Sequence, residues 1–368
     1  MHFWEALNSI NLVNGDGFLK KEKEHSNKRL WIGTAILGLM FIVTVVISII
    51  FFYVRTRFVK EVVSSTDVNT YDNYYVLITD SADTDYWKSV YAGASAEAEK
   101  VNAYVKMMGE DSDINLTKED YIRIAISSHA DGIIVQGDDS KENQQLLLEA
   151  AEEGIPVITV SDDSVNSGRK SFIGVSSFNL GKDYGDQIAD YLDEVDGNNL
   201  SVLILMDESL TDSSQSVIMT AIRDELVDRG VAYRVTLESK IVSSNVDYAA
   251  EEEIRDIFIG KSDIPDVMVC LSEQSTICAY QAVVDHNKVG EVEIFGYYMS
   301  ETIHTAIEKK IIRSSLVIDT EQLGKTAVKA LDEYKETGYV SEIYLIDTKI
   351  ADYDNIQSFV EKEGDGDD

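Results

Sequence analysis

Proline is almost missing from this chain, with two residues in 368, and both Pro156 and Pro265 stand at the entrance of an apolar run. Cysteine is as scarce. Cys270 and Cys278 lie eight positions apart with no histidine cluster near them, which excludes a disulfide framework and a zinc site. They read as two small buried residues around one strand. The five histidines, His2, His25, His129, His286 and His304, are scattered, so no metal set is expected. Also missing are a glycine-rich phosphate loop, an HExxH pair and a G-x-S-x-G elbow. The chain is therefore expected not to be an enzyme, with no catalytic residue, metal or cofactor. Basic residues are few: 32 Lys and Arg against 66 Asp and Glu, a formal net charge of −34. The first 60 residues carry 8 basic and 4 acidic groups, leaving 24 basic and 62 acidic groups on 61–368. A surface this acidic is repelled by nucleic acid and by anionic lipid headgroups, which sets nucleic-acid binding aside. The carboxylates are too numerous for any pair of them to be informative.

What is present is a globular composition, 44% hydrophobic and 27% charged, on a chain long enough for two lobes of roughly 150 residues each. Residues 30–54 read LWIGTAILGLMFIVTVVISIIFFYV, 25 positions without a charge. As a helix this run is about 37 Å long, enough for a ~30 Å hydrocarbon core with some tilt. Trp31 and Tyr53 stand at its ends, where amphipathic rings favour the interface. A cleaved signal peptide has a shorter apolar core and a small-residue cleavage site, whereas this run exits into Arg55 and Arg57. No cysteine near its end offers a lipid attachment point. The expectation is an uncleaved single-pass anchor in the cell membrane. Lys20, Lys21, Lys23, Lys28 and Arg29 before it outnumber Arg55, Arg57 and Lys60 after it, which places the N-terminus in the cytoplasm and the rest outside. The expected divisions are a cytoplasmic segment at 1–29, the transmembrane helix, a tether at 55–72, a two-lobed domain at 73–350 and an acidic tail at 351–368, disordered over 361–368.

Within the domain, apolar runs of strand length alternate with helical patterns. Strands are expected at 74–79, 103–107, 132–136 and 155–160, with helices at 88–101, 117–129 and 144–153, the last ending on Gly154. A second series follows: strands at 200–206, 232–237, 267–271, 292–297 and 316–318, with helices at 179–194, 214–229, 248–259, 274–287, 300–309 and 321–336. Apolar strands separated by helices indicate α/β architecture, here two doubly wound parallel-sheet lobes. The first lobe is expected to hold 73–178 and 292–318, the second 179–291 and 319–350. In open sheets of this kind ligands sit beyond the carboxyl ends of the strands. Two such edges facing each other make a cleft that closes by hinge motion.

Three segments in order, DSADTDYWKSVYAG at 80–93, ADGIIVQ at 130–136 and GIPVITVSD at 154–162, resemble the ribose-binding-protein-like type I periplasmic binding proteins, over about 73–345. The LacI-type repressors share that fold but carry a helix-turn-helix where this chain has an apolar run. The resemblance implies a two-lobed solute-binding domain whose ligand is a small molecule, a sugar or related solute. It places an aromatic pair, Tyr86 and Trp87, where the family stacks rings on a sugar, although one ring could instead be core and the other line the hinge. Asp80 and Asp83 fit either hydroxyl acceptors or helix caps. Gln136 and Asp162 fall at strand ends where the family makes polar ligand contacts. The second lobe departs from the pattern. By a gapless alignment the family's Arg falls on Ile218, its Asn-Asp pair on Ser272 and Glu273, its next Asp on Tyr298, and its Gln on Ile318 beside Asp319. Losing that grip implies a ligand other than a common pentose or hexose, or a cleft that binds weakly or not at all.

Three roles follow. Anchored binding proteins of this kind in Gram-positive bacteria work with a separate histidine kinase, so a sensory input to a membrane signalling partner is the leading expectation. The substrate-binding subunit of a sugar ABC transporter, delivering to a permease, is the alternative. The third is a degenerate domain kept for protein–protein contact.

Overall fold

The computed structural model describes residues 71–109, 116–195, 199–243, 248–259 and 264–359. The expected anchor at 30–54, the segment before it and nearly all of the tether lie outside these residues. Among the described residues no helix is long and apolar enough to cross a membrane.

The first sheet begins with β1 (Asn73–Ile78), whose last four residues are buried, as a central parallel strand requires. Helix α1 (Asp85–Lys100) returns over it to β2 (Ala103–Met107). Its N-terminus is capped by Thr84, whose hydroxyl accepts the Trp87 N–H. Helix α2 (Lys118–Ser127), β3 (Gly132–Gln136), α3 (Lys141–Glu152), β4 (Val157–Ser161) and β5 (Ser171–Gly174) complete the first series. The chain then crosses to a second sheet through α4 (Ser177–Glu194), β6 (Leu200–Asp207), α5 (Asp212–Asp228), β7 (Val235–Val242), α6 (Ala249–Phe258), β8 (Val267–Cys270), α7 (Glu273–Asp285), β9 (Glu293–Tyr297), α8 (Glu301–Glu308) and β10 (Ser314–Ile318). Helix α9 (Thr320–Thr337) and β11 (Ile343–Leu345) return to the first sheet, and β12 (Thr348–Asp352) ends in the second. The strand orders are β11-β5-β4-β3-β1-β2 and β12-β10-β9-β8-β6-β7. Every pairing between these strands is parallel except β10 with β12.

Two doubly wound α/β lobes are thus observed, but their division differs from the expected one. Strands β9 and β10, at 293–318, pair within the second sheet, whereas α9 and β11 belong to the first. The chain crosses three times, after β5, β10 and β11, and periodicity carries no record of which sheet a strand joins. Strands β5, β11 and β12 were not expected; they are short, and the last two are edge strands with mostly exposed or half-buried side chains. The strand expected at 232–237 starts as a 3₁₀ turn at Ala232–Arg234. The tail boundary also shifts: Ala351 and Ile356 are buried, so the folded domain runs past the expected boundary at 350.

Each sheet has an apolar cluster on both faces. In the first lobe α1 and α9 meet through glycine: a Cβ on Gly93 would lie 2.1 Å from the Glu321 carbonyl oxygen, and one on Gly324 1.9 Å from that of Val90. Only bare backbone allows this approach. Cys270 and Cys278 are free and buried, and burial raises the thiol pKa of both.

Candidate functional site

The carboxyl ends of both sheets' central strands face one cavity of about 100 Å³, far above the ~10–15 Å³ that one water needs. The first lobe contributes the end of β3 (Gln136), the end of β4 (Ser161, Asp162) and the start of α1 (Tyr86, Trp87). The second contributes the end of β6 (Asp207), the end of β9 (Tyr297), the Leu271-Ser272-Glu273 corner before α7, and apolar wall from Leu210 and Ile218.

Tyr86 occupies the centre of the aromatic group. Its ring lies 5.4 Å from Trp87, edge to face, 6.4 Å from Tyr297, stacked, and 5.4 Å from Tyr298, edge to face. Its hydroxyl donates to Ser161 Oγ at 3.2 Å, and burial pushes its pKa up to about 12. Ser161 and Tyr298 each follow or end a strand at positive φ, 72° in both. These left-handed turns cost about 1–3 kcal/mol each in side-chain-bearing residues and cluster at ligand sites.

Two carboxylates cross between the lobes in opposite directions. Asp162, from the first lobe, accepts the Thr211 N–H and, at 2.7 Å, the Ser214 hydroxyl at the N-terminus of α5. Glu273, from the second lobe, accepts the Tyr86 N–H in the first turn of α1 at 3.1 Å. Beside them Asp139 accepts the Asp212 N–H at 2.8 Å. Each carboxylate meets the positive end of a helix, where unsatisfied N–H groups favour anions. Burial raises the pKa of Asp162, and it pushes Glu273 up to about 7.

Of the residues expected from sequence, Tyr86, Trp87, Gln136, Asp162, Ser272 and Glu273 come together on the cavity wall. Gln136 is committed in part, its Oε1 accepting the Thr79 hydroxyl at 2.6 Å and the Asp80 N–H at 3.2 Å. Ser272 caps α7 through the Ser275 N–H. Four residues lie off the wall. Asp80 is paired with the buried Lys118 at 2.6 Å, which also holds Asp138 at 2.6 Å. Burial alone would lower the Lys118 pKa, but the two carboxylates outweigh it and raise it. Asp83 is exposed, and the cap of α1 is Thr84, so neither Asp80 nor Asp83 caps that helix. Tyr298 turns its hydroxyl to the Asp85 carbonyl at 3.3 Å. Asp319 is the exposed N-cap of α9. Sequence reasoning missed Asp207 and Tyr297, which end β6 and β9; the strand-end rule itself would have found them.

Among the described residues no Lys, Arg or His lines the cavity, and no group of His, Cys, Asp and Glu could hold a metal ion. The arrangement offers flat rings, hydroxyls and carboxylates to a small polar molecule.

Two doubly wound lobes, joined by three crossings and enclosing a cavity at their facing strand ends, define the class of two-lobed solute-binding folds. The chain belongs to the periplasmic binding protein domain family, whose model matches residues 74–338. It is 20% identical over 252 residues, 65% of this chain and 73% of the relative, to the ABC transporter periplasmic-binding protein YphF of Escherichia coli K12. Its fold is similar to that of GanP, a glucose-galactose binding protein from Geobacillus stearothermophilus, with a TM-score of 0.67, 22% identity, and coverage of 77% of this chain and 98% of that one. It is also similar to the fold seen in the XylFII-LytSN complex, with a TM-score of 0.65, 22% identity, and coverage of 77% and 98%.

Proposed function

We propose that the chain binds a sugar or related hydroxylated solute between its lobes and serves as a membrane-anchored sensory input to a signalling partner, with a histidine kinase the expected partner. The observation that carries the ligand reading is the cavity itself, where the Tyr86, Trp87 and Tyr297 rings stand beside hydroxyl and carboxylate acceptors. A flat ring presents an apolar face to sugar C–H groups while acceptors fix the hydroxyls. GanP and YphF, as sugar-binding and transport proteins by name, agree with it. A thermal-shift and calorimetric screen of sugars is the test. A ligand at 100 times its dissociation constant stabilises by about 2.7 kcal/mol. Tyr86→Ala should abolish the shift, weakening binding by more than tenfold. A hit that survives this change would remove Tyr86 from the site, and no hit at all would favour a domain kept for protein contact.

The sensory role is supported by the charge-free run at 30–54, read as an anchor, and by the likeness to XylFII in its complex with LytSN. Delivery to an ABC permease is the second reading, favoured by the likeness to YphF. A null strain separates the two. Lost uptake of the ligand supports delivery, whereas normal uptake with altered gene expression supports sensing.

A further inference from the structure

The charge on the cavity wall is one-sided. Asp162, Asp207 and Glu273 line it, and among the described residues no Lys, Arg or His does. The first lobe's two buried cations are turned elsewhere, Lys118 to Asp80 and Asp138, and Arg169 to Asp163. Neither Asp162 nor Glu273 forms an ion pair among the described residues. Asp162 is turned to the α5 N-terminus, accepting from Thr211 and Ser214. Glu273 is 8% exposed. A carboxylate offers roughly four acceptor sites, of which Glu273 gives one to the Tyr86 amide and turns another toward the Ser300 hydroxyl.

Three aromatic rings, Tyr86, Trp87 and Tyr297, complete the same wall. Ring faces carry negative potential and attract a cation that has been stripped of water. The surrounding chain adds a field of the same sign, with 24 basic against 62 acidic groups on 61–368. Such a field concentrates cations at a cleft and keeps anions away. A bare metal ion does not fit, because no metal-holding cluster exists among the described residues. The cation that suits rings, hydroxyls and a buried carboxylate together is an organic ammonium on a hydroxylated frame.

We propose that the ligand of this cavity carries a protonated amine on a sugar or polyol frame, an amino sugar being the simplest member, and that acidic sugars are refused. This rests on the sugar-binding reading above and narrows it. Burial of Glu273, whose pKa stands near 7 without a ligand, fits a carboxylate that an arriving ammonium would ionise fully.

The test is calorimetry on the full chain at neutral pH with matched sets. These are glucosamine, galactosamine and mannosamine, their parent hexoses, the N-acetylated hexosamines, and glucuronate and galacturonate. The expected result is one hexosamine binding at least tenfold more tightly than its parent and its N-acetyl form, with no heat from either uronate. In Glu273→Gln that preference should fall toward parity. A parent hexose binding as tightly as its amine, a uronate that binds, or an N-acetyl form equal to the free amine overturns the amine proposal and leaves sugar binding standing. An unchanged preference in Glu273→Gln overturns the part given to that carboxylate. Silence from every ring overturns the sugar reading, and this inference with it.

Discussion

The two lobes repeat one architecture and handle charge in opposite ways. In the first lobe two largely buried cations make three ion pairs near the strand ends, Lys118 with Asp80 and Asp138, and Arg169 with Asp163. In the second, the cations lie outward: Arg229 reaches Asp186 and Asp190, and Arg313 reaches Glu194, all with substantial exposure. The first lobe therefore pairs Asp80, Asp138 and Asp163 with buried cations, while the carboxylates of the cavity wall come from both lobes, Asp162 from the first and Asp207 and Glu273 from the second. Electrostatic balance is local to a lobe, and the net charge of the chain does not reveal it.

The largest effect should come from removing the buried cation. Lys118→Met strands two carboxylates in a low-dielectric site, an expected loss of about 3–5 kcal/mol, read as a lower unfolding midpoint. Arg229→Met, the exposed counterpart in the other lobe, should leave the midpoint nearly unchanged. Equal effects would break the contrast.

A smaller effect is expected where the lobes meet. Asp162→Asn removes the charge that faces the N-terminus of α5, weakening charge-assisted bonds by about 1–2 kcal/mol. This corresponds to roughly a tenfold shift toward separated lobes at 1.4 kcal/mol per decade. Small-angle scattering of the unliganded protein should show a larger radius of gyration. Glu273→Gln, which loses only a single amide contact's charge, should open the lobes less.

The smallest effect is a pH slope. Glu273 in the folded chain holds its proton up to about pH 7, whereas the unfolded carboxyl releases it near 4.5. Between those values the folded state binds more protons, so stability from this group is greatest below pH 4.5 and declines as pH rises to 7. The slope is at most about 1.4 kcal/mol per pH unit, the value for one proton. Glu273→Gln should flatten the melting temperature over that window relative to the parent chain. No counterpart is expected at Gln136 across the cavity, which does not titrate.

The same asymmetry decided what could be read from sequence. Apolar strands and capped helices announced two α/β series, and β2 and β3 coincide with the expected 103–107 and 132–136. The first-lobe wall residues Tyr86, Gln136 and Asp162 were legible through the family resemblance carried by 80–93, 130–136 and 154–162. On the second lobe, substitutions at the matching positions drew attention to Tyr298 and Asp319, which point away, while Tyr297 and Asp207 form the wall. A one-residue error matters there because the backbone turns left-handed at Tyr298. Sheet membership after 292 was illegible for a different reason: alternation of strand and helix is identical on either side of a crossing.

The close backbone contact of α1 with α9 has a consequence for synthesis. The partner of Gly93 is Glu321, and that of Val90 and Ala94 is Gly324, all more than 200 positions downstream, so the first lobe is translated early and completed late. At about 5–20 residues per second, the face of α1 bearing Val90 and Ala94 waits on the order of 10–50 s for its cover. During that interval the nascent first lobe exposes apolar surface that the finished molecule hides, and this is when the polypeptide is most open to self-association.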